Sequence, residues 1–409
     1  MNYADSDRVR EVLTRAGLRE VGAVTEADVV VINTCNVRQK PADRAFGYQK
    51  ILTNLNKKHK RIWVLMGCLV ERTSRRDDAQ KDKLFAQLGN LDIALRTEDL
   101  GRLPEFLGLA EGLSGDYLNI LPQFHGLTAY IPIMTGCNNF CSYCVVPYAR
   151  GRERSRAVGE VLRECEKALR EGAREIVLLG QNVNSYAYDF PKLLRQVDAL
   201  PGKFWLWFTS SHPKDCGSEL ISAMRECEKL RPHLHLPVQN GLDSTLERMN
   251  RKYTTADYRA IVAEYRRHFP EGALTTDWIV GFCGETEADF ARSLDFMREL
   301  RFDQIYFAQY NERPHTYATE NLDDDVSPAE KNRRWHEFNL EMKKIAFEIN
   351  QSYVGRECEM LVERVSAGKL YGRIGQDKPM VCRGEGAVGD FVRVRVVKTR
   401  DWWLFGEIF

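Results

Sequence analysis

Between Leu121 and about residue 310 the chain alternates short apolar runs with amphipathic stretches, and no other feature narrows its possible folds so far. The strand-like segments are Ala129 to Ile133, Ile176-Val-Leu-Leu179, Phe204-Trp-Leu-Trp-Phe208, His233-Leu-His235, Leu274 to Val280 and Gln304-Ile-Tyr-Phe307. Strands that alternate with helices pair in parallel through crossover connections. The region therefore predicts about six β-α units of a parallel sheet.

The same alternation opens the chain. Val29-Val-Val-Ile-Asn33 and Ile62-Trp-Val-Leu-Met66 read as strands buried on both faces, with a helical pattern from Ala42 to Lys58 between them. Asp5 and Ser6 are expected to cap a helix from Asp7 to Ala16 whose apolar face is Val9, Val12, Leu13 and Ala16. No strand is predicted ahead of that helix, so the chain is expected to open on a helix and the first sheet to expose a backbone edge. At the other end, Ser327-Pro-Ala-Glu330 predicts a capping box opening a long helix to about Asn350.

Past Gly355 short alternating strands with glycine turns predict a small β-barrel: Glu359 to Glu363, Leu370 to Ile374 and Phe391 to Val397. In the last strand Val392, Val394 and Val396 point one way and Phe391, Arg393 and Arg395 the other, with Lys398, Arg400, Trp402 and Trp403 following. A basic, aromatic face of this kind suits phosphate contact and base stacking. By pattern alone, such a strand is more often a solvated face.

The chemistry lies in Gly136-Cys-Asn-Asn-Phe-Cys-Ser-Tyr-Cys144, a CxxxCxxC run formed by Cys137, Cys141 and Cys144. Four cysteines normally close a 4Fe-4S cluster, so three leave one iron open, and an open metal position marks chemistry more than scaffolding. Zinc is the competing reading, but structural zinc pairs two knuckles or adds His at fixed spacing, and neither accompanies this trio. Cys35 and Cys68 each follow a predicted strand at its carboxyl end, where open parallel sheets place ligands, and together they suggest a shared metal site.

The chain holds 11 cysteines and has neither a basic-then-apolar leader nor an 18-residue apolar stretch, so a cytoplasmic protein without a disulfide framework is expected. Cys165, Cys216, Cys227, Cys358 and Cys382 are expected to be small buried residues. With 44% hydrophobic and 29% charged residues the composition is that of a folded protein, not a disordered one. The net charge of +1 supplies no bulk basic field, so any RNA binding must use local patches.

Ile133 to Gly151 with Ser155-Arg156 resembles the radical S-adenosylmethionine (SAM) methylthiotransferases, most closely their tRNA-modifying MiaB type. Supporting stretches are Asn33-Thr-Cys-Asn-Val-Arg38, Gly67-Cys-Leu69, Leu179-Gly-Gln-Asn-Val-Asn184, Ser211-His-Pro-Lys-Asp215, His235-Leu-Pro-Val-Gln239, Met249-Asn-Arg-Lys-Tyr253 and Asp277 to Thr286. Their order along the chain is more specific than any one of them. The family commonly has proline where this chain has Cys283, and proline-glycine where it has Pro314-His315.

The resemblance implies an α/β chain of three parts. These are an amino-terminal βαβ domain over residues 1–102, a central partial (βα)6 radical SAM barrel over 123–353, and a carboxy-terminal RNA-binding TRAM barrel over 356–409. It implies methylthiolation of carbon 2 of N6-isopentenyladenosine beside the anticodon of tRNA. SAM would be radical source and methyl donor, and an electron donor such as flavodoxin or ferredoxin would act with it. Cys137, Cys141 and Cys144 would hold the SAM-binding 4Fe-4S cluster. Gly180, Gln181, Asn184, His235, Gln239, Gly281 and Glu285 would line the cofactor site, since glycines admit close backbone approach and amides bond amino-acid and ribose groups. Arg150, Arg152, Arg154 and Arg156 would meet either SAM carboxylate or tRNA phosphate.

A second, auxiliary 4Fe-4S cluster, the route for sulfur, is implied on Cys35, Cys68 and a third cysteine that precedes the Met1-Asn2 position in the family. The expectation is a natural start upstream by about one strand and turn, on the order of 10 residues. As written, the chain is expected to keep SAM cleavage and lose most sulfur insertion. Three alternatives stay open: action on threonylcarbamoyl-adenosine in tRNA, action on a ribosomal-protein aspartate, or a non-catalytic iron-sulfur RNA-binding sensor.

Overall fold

The computed structural model describes residues 1–34, 39–57, 59–73, 88, 91–109 and 116–409. The amino-terminal domain runs α1 (Asn2–Arg15), β1 (Val29–Thr34), α2 (Gln39–Asn56), β2 (Ile62–Gly67), α3 (Cys68–Thr73) and β3 (Ile93–Leu95). Its strands form one parallel sheet in the order β1-β2-β3. Trp63 to Met66 of the central strand are fully buried. Val29 to Asn33 are only half-buried, because β1 forms an edge, and residues of β1 and α1 together line a 530 Å³ groove.

The first helix departs from its expected form. It starts at Asn2, with Met1 at the cap position and no side-chain cap bond. Asp5 lies inside the helix and is fully buried, paired with Arg150 of the next domain at 2.7 Å. A carboxylate with a buried guanidinium partner is not available to cap a helix end. Val9 and Val12 do face the core of their own domain, with Leu13 against them.

The central domain supplies β4 (Thr128–Pro132), β5 (Met134–Thr135), β6 (Arg154–Ser155), β7 (Glu175–Leu179), β8 (Trp205–Thr209), β9 (His233–His235), β10 (Ala273–Val280) and β11 (Gln304–Gln309). Two parallel sheets, β4-β7-β8 and β9-β10-β11, are stitched by a single parallel bridge between Leu206 and Leu230. All six expected strands are present, and the result is an open, curved wall. One face, with Ile176, Leu178, Phe208, Leu234 and Trp278, carries the main core beneath the helices. On the opposite face Val177, Leu179, Tyr130 and Trp207 pack against Met1 and against Ala4 in the first turn of α1.

Helix Pro328–Gln351 closes this domain, and Ser327 accepts from Glu330 N–H at its start. The reciprocal half of the capping box is not made. Glu330 turns instead to Arg333 and Arg334, at 2.6 and 2.7 Å. Next come β12 (Glu357–Ser366), β13 (Lys369–Ile374), β14 (Pro379–Arg383), β15 (Phe391–Thr399) and β16 (Leu404–Ile408), closed in the order β12-β13-β14-β16-β15. β14 and β16 were not expected, being short and weakly alternating. A Cβ on Gly406 would stand 2.5 Å from the Arg395 carbonyl, so that crossing requires glycine.

Buried charges join this barrel to the foot of the central one. Glu175 of β7 meets Arg231 at 2.7 Å and Arg373 of β13 at 2.9 Å. Phe391, expected on the free face of β15, is turned against Trp205 with ring centroids 5.3 Å apart. Cys165, Cys216, Cys227 and Cys382 are buried as expected, but Cys358 is only partly so. Among the described residues no helix is long and apolar enough to cross a membrane.

Candidate metal centre and cofactor pocket

The three-cysteine run is a hairpin loop closed by β5 against β6 at one rim of the wall. Gly136 enters the loop at φ +81°, where a Cβ would lie 2.1 Å from the Arg152 carbonyl, so only glycine permits the turn. Cys137 N–H donates to the Gly151 carbonyl at 3.1 Å and Cys144 N–H to the Cys141 carbonyl at 2.9 Å. The turn Met249-Asn-Arg-Lys-Tyr253 forms a cradle beneath. Asn250 Nδ2 donates to the Phe140 carbonyl at 2.8 Å, and Ser142 N–H to the Met249 carbonyl at 3.0 Å.

Arg251 completes that support. Its guanidinium donates to Cys141 Sγ at 3.3 Å, to the Pro237 carbonyl at 2.9 Å and to the Tyr253 hydroxyl at 3.0 Å. Burial pushes the Cys137 thiol up to about 11; burial and then the Cys141 neighbour push Cys144 up to about 12. Thiols so placed give up their protons to a bound metal, not to water. Among the described residues no three Cys, His, Asp or Glu side chains converge on a single ion. A cubane asks for something different, one thiolate on each of three irons. A donor set of three thiols on one loop, with a guanidinium against one sulfur, fits that requirement.

Cys144 also lines a 550 Å³ cavity at the β10–β11 end of the wall, within the usual range for cofactor pockets of about 300–1,000 Å³. Gln239, Asp277, Tyr306, Asn311 and Arg313 supply its polar and aromatic lining. A hydrogen-bonded chain runs into it. His233 Nε2 and His235 Nδ1 share Thr275 Oγ1 at 2.7 and 2.9 Å, and His235 Nε2 reaches Asp277 at 3.3 Å.

Of the seven residues expected to contact cofactor, Gln239 lines this cavity and His235 stands behind it. Gly180 is packed on Met134, where a Cβ would come within 2.8 Å, while Gln181 Oε1 is buried with no hydrogen-bond partner. Both amide atoms of Asn184 bond the His212 backbone, at 3.0 and 2.8 Å. Glu285 is a strut, accepting from Gly281 N–H at 3.1 Å, Asn240 at 3.2 Å and Arg334 at 2.9 Å, and burial raises its carboxyl. Asp277 and Arg251 fall inside the quoted motif stretches but were not singled out, since a strand residue and a turn arginine carry no ligand spacing of their own.

Cys68 opens α3 directly after Gly67, is buried, and accepts from Arg150 Nε at 3.2 Å. Cys35 lies outside the described residues. Of the four hairpin arginines, Arg150 and Arg156 are buried in ion pairs with Asp5 and Glu164, Arg154 pairs with Asp116, and Arg152 stacks on Phe140. On the small barrel Arg393 and Arg395 are exposed, both pair with Glu357 and both lie over the Phe409 ring. Arg364 covers Tyr371 at 3.9 Å, and Trp403 is exposed.

Comparison with known proteins matches the Radical SAM superfamily over residues 131–297, the Uncharacterized protein family UPF0004 over 1–89 and the TRAM domain over 351–409. A radical SAM methyltransferase, TsrM from Kitasatospora setae, shares the fold at TM-score 0.57 and 15% identity, over 78% of this chain and 68% of that one. The tRNA-2-methylthio-N(6)-dimethylallyladenosine synthases of Acetivibrio thermocellus and Bacteroides thetaiotaomicron are each 37% identical, over 100% of this chain and 88% and 93% of theirs. Similarity of that extent, spanning the cysteine hairpin, the strand wall and the terminal barrel together, places the chain in the tRNA-2-methylthio-N(6)-dimethylallyladenosine synthase family of radical SAM proteins.

Proposed function

We propose that the chain methylthiolates carbon 2 of N6-isopentenyladenosine beside the anticodon of tRNA, in the cytoplasm, with SAM as radical source and methyl donor. The observation that carries this reading is the sharing of one cavity by Cys144 of the hairpin and the polar residues of β10 and β11, in a chain that aligns end to end with relatives of that name. Cys137, Cys141 and Cys144 would hold a 4Fe-4S cluster, and Cys35 and Cys68 would contribute to an auxiliary one. When bound, the first cluster supplies the electron that cleaves the SAM sulfonium, which no side chain can do.

The protein's part is placement. Arg251 and Asn250 hold the hairpin from below, and Cys144 borders the cavity. Trp278, Phe307 and Trp335 give that cavity an apolar side that keeps water from a reactive intermediate. Asp277, braced by His235, presents an acceptor in the wall for a ligand hydroxyl or amino group. The basic, aromatic face around Arg393, Arg395 and Phe409 suits an RNA strand.

The test is anaerobic reconstitution, followed by SAM and a low-potential reductant. Formation of 5′-deoxyadenosine is expected, and its loss in Cys141→Ala. Mass spectrometry of tRNA nucleosides from a deletion strain should then show the 2-methylthio-isopentenyl nucleoside missing. Loss of a threonylcarbamoyl derivative instead would transfer the activity to a sister substrate, and no deoxyadenosine at all would leave only a binding protein.

A further inference from the structure

A second cavity, of 340 Å³, lies between the amino-terminal domain and the return arm of the cysteine hairpin. None of the three hairpin cysteines lines it, which separates it from the cofactor cavity that Cys144 borders. Four arginines do: Arg96 from the first domain, and Arg150, Arg152 and Arg154 from the hairpin. Three have carboxylate partners, Arg96 with Glu98 at 3.5 Å, Arg150 with Asp5 at 2.7 Å, and Arg154 with Asp116. Arg152 is exposed and has no carboxylate partner among the described residues. Its guanidinium is held over the Phe140 ring at 4.4 Å, and Phe140 meets the edge of Tyr148 at 6.0 Å. Tyr148, 45% exposed, faces the same cavity.

We propose that this cavity seats one phosphodiester of the substrate RNA, with Arg152 as the cation that meets it and Tyr148 as the platform for the adjoining base. Among the described residues the charge balance of the walls favours a single negative charge, which is what one phosphodiester carries. Stacking fixes the guanidinium plane in advance, so little freedom is lost when its fork meets two phosphate oxygens. An exposed tyrosine beside a fixed arginine is the pairing that single-stranded RNA uses. The SAM carboxylate is the less suitable occupant, since it must stay with the iron that the cysteine side of the hairpin would hold. Because the chain as a whole carries a net charge of only +1, a local seat of this kind has a measurable share of the RNA affinity. The proposal rests on RNA being the substrate and adds where its backbone is gripped.

The experiment measures binding of a short anticodon stem-loop RNA to the full, reconstituted chain across a potassium chloride series, for wild type, Arg152→Gln and Arg152→Lys. Arg152→Gln should weaken binding by about 3- to 10-fold at moderate salt and reduce the log–log salt slope by about one. Arg152→Lys should keep the slope while losing part of the affinity. An unchanged slope in Arg152→Gln overturns the seat and leaves the methylthiotransferase reading intact. Loss of iron from Arg152→Gln also overturns it, by making Arg152 a support of the hairpin fold. Failure of wild type to bind the RNA removes the reading on which the proposal rests.

Discussion

Removal of the Glu164 carboxylate should detach the first helix from the rest of the molecule. Glu164 lies in the helix Val158–Arg170 and is clamped between two arginines from different parts of the chain. Arg8 of α1 donates to both its oxygens at 2.8 and 2.9 Å, and Arg156 donates to one at 2.6 Å. The three side chains are 0%, 4% and 1% exposed, so water can replace nothing that is lost. Glu164→Gln would leave two buried guanidinium groups facing a neutral amide, and breaking a buried pair from one side costs about 3–5 kcal/mol.

Because α1 is tied on by this clamp and by Asp5–Arg150, the penalty should appear first as local opening of that helix. At 1.4 kcal/mol per tenfold, amide exchange in α1 should speed up by about 10²- to 4 × 10³-fold under native conditions. Exchange in β7 and β8 should change far less. Hydrogen exchange with mass spectrometry reads each segment separately and needs no two-state unfolding. Arg8→Met combined with Glu164→Gln should be less damaging than Glu164→Gln alone, because one buried cation is gone. A change in α1 under threefold, or a double variant worse than the single, would refute the argument.

Gly136→Ala should lose at least half of the iron taken up on reconstitution, since the added Cβ meets backbone 2.1 Å away; wild-type iron content would contradict that. Arg251→Met removes the donor to Cys141 Sγ, and because hydrogen bonds to ligand sulfur help set cluster potentials, the cluster should become harder to reduce. A tenfold change in the reduction equilibrium is about 59 mV in an EPR-monitored titration. His212 is held down to about 2 by burial, with the Arg251 and Lys214 charges adding to it. An unfolded histidine titrates near 6.5, so below that pH the unfolded chain takes up a proton that the folded one refuses. Stability is therefore complete above about pH 6.5 and lost by about 1.4 kcal/mol per unit as the pH falls, roughly 2 kcal/mol at pH 5. Urea midpoints at pH 7 and 5 should show His212→Asn with a shallower acid loss than wild type.

Where local periodicity decides, the amino-acid order was enough to read. Most strands of the central wall appear where apolar runs alternate with helical stretches, because burial of a strand between layers favours an unbroken apolar run, whereas the short β9, His233–His235, buries two histidines instead. That the three hairpin cysteines share one loop was legible for a similar reason, since spacing within a loop is a local property. The short strands β14 and β16 were not, since neither buries enough alternate residues to leave a pattern; closure of the barrel makes them strands.

Polar residues were the least legible. Asp5 has the sequence context of a cap and is a buried ion-pair partner, Asn184 braces one loop against another, and Glu285 ties a loop to the last helix of the barrel domain. Spacing along the chain determined which sulfur atoms share one loop and which segments form a parallel wall, because both depend on residues a few positions apart. Only the tertiary structure decided that Arg251 faces Cys141, that among the described residues Arg152 has no carboxylate partner while the other three hairpin arginines do, and that Asp277 looks into a cavity. A side chain's role there is set by whichever distant group meets it in low dielectric, and no local pattern encodes that partner.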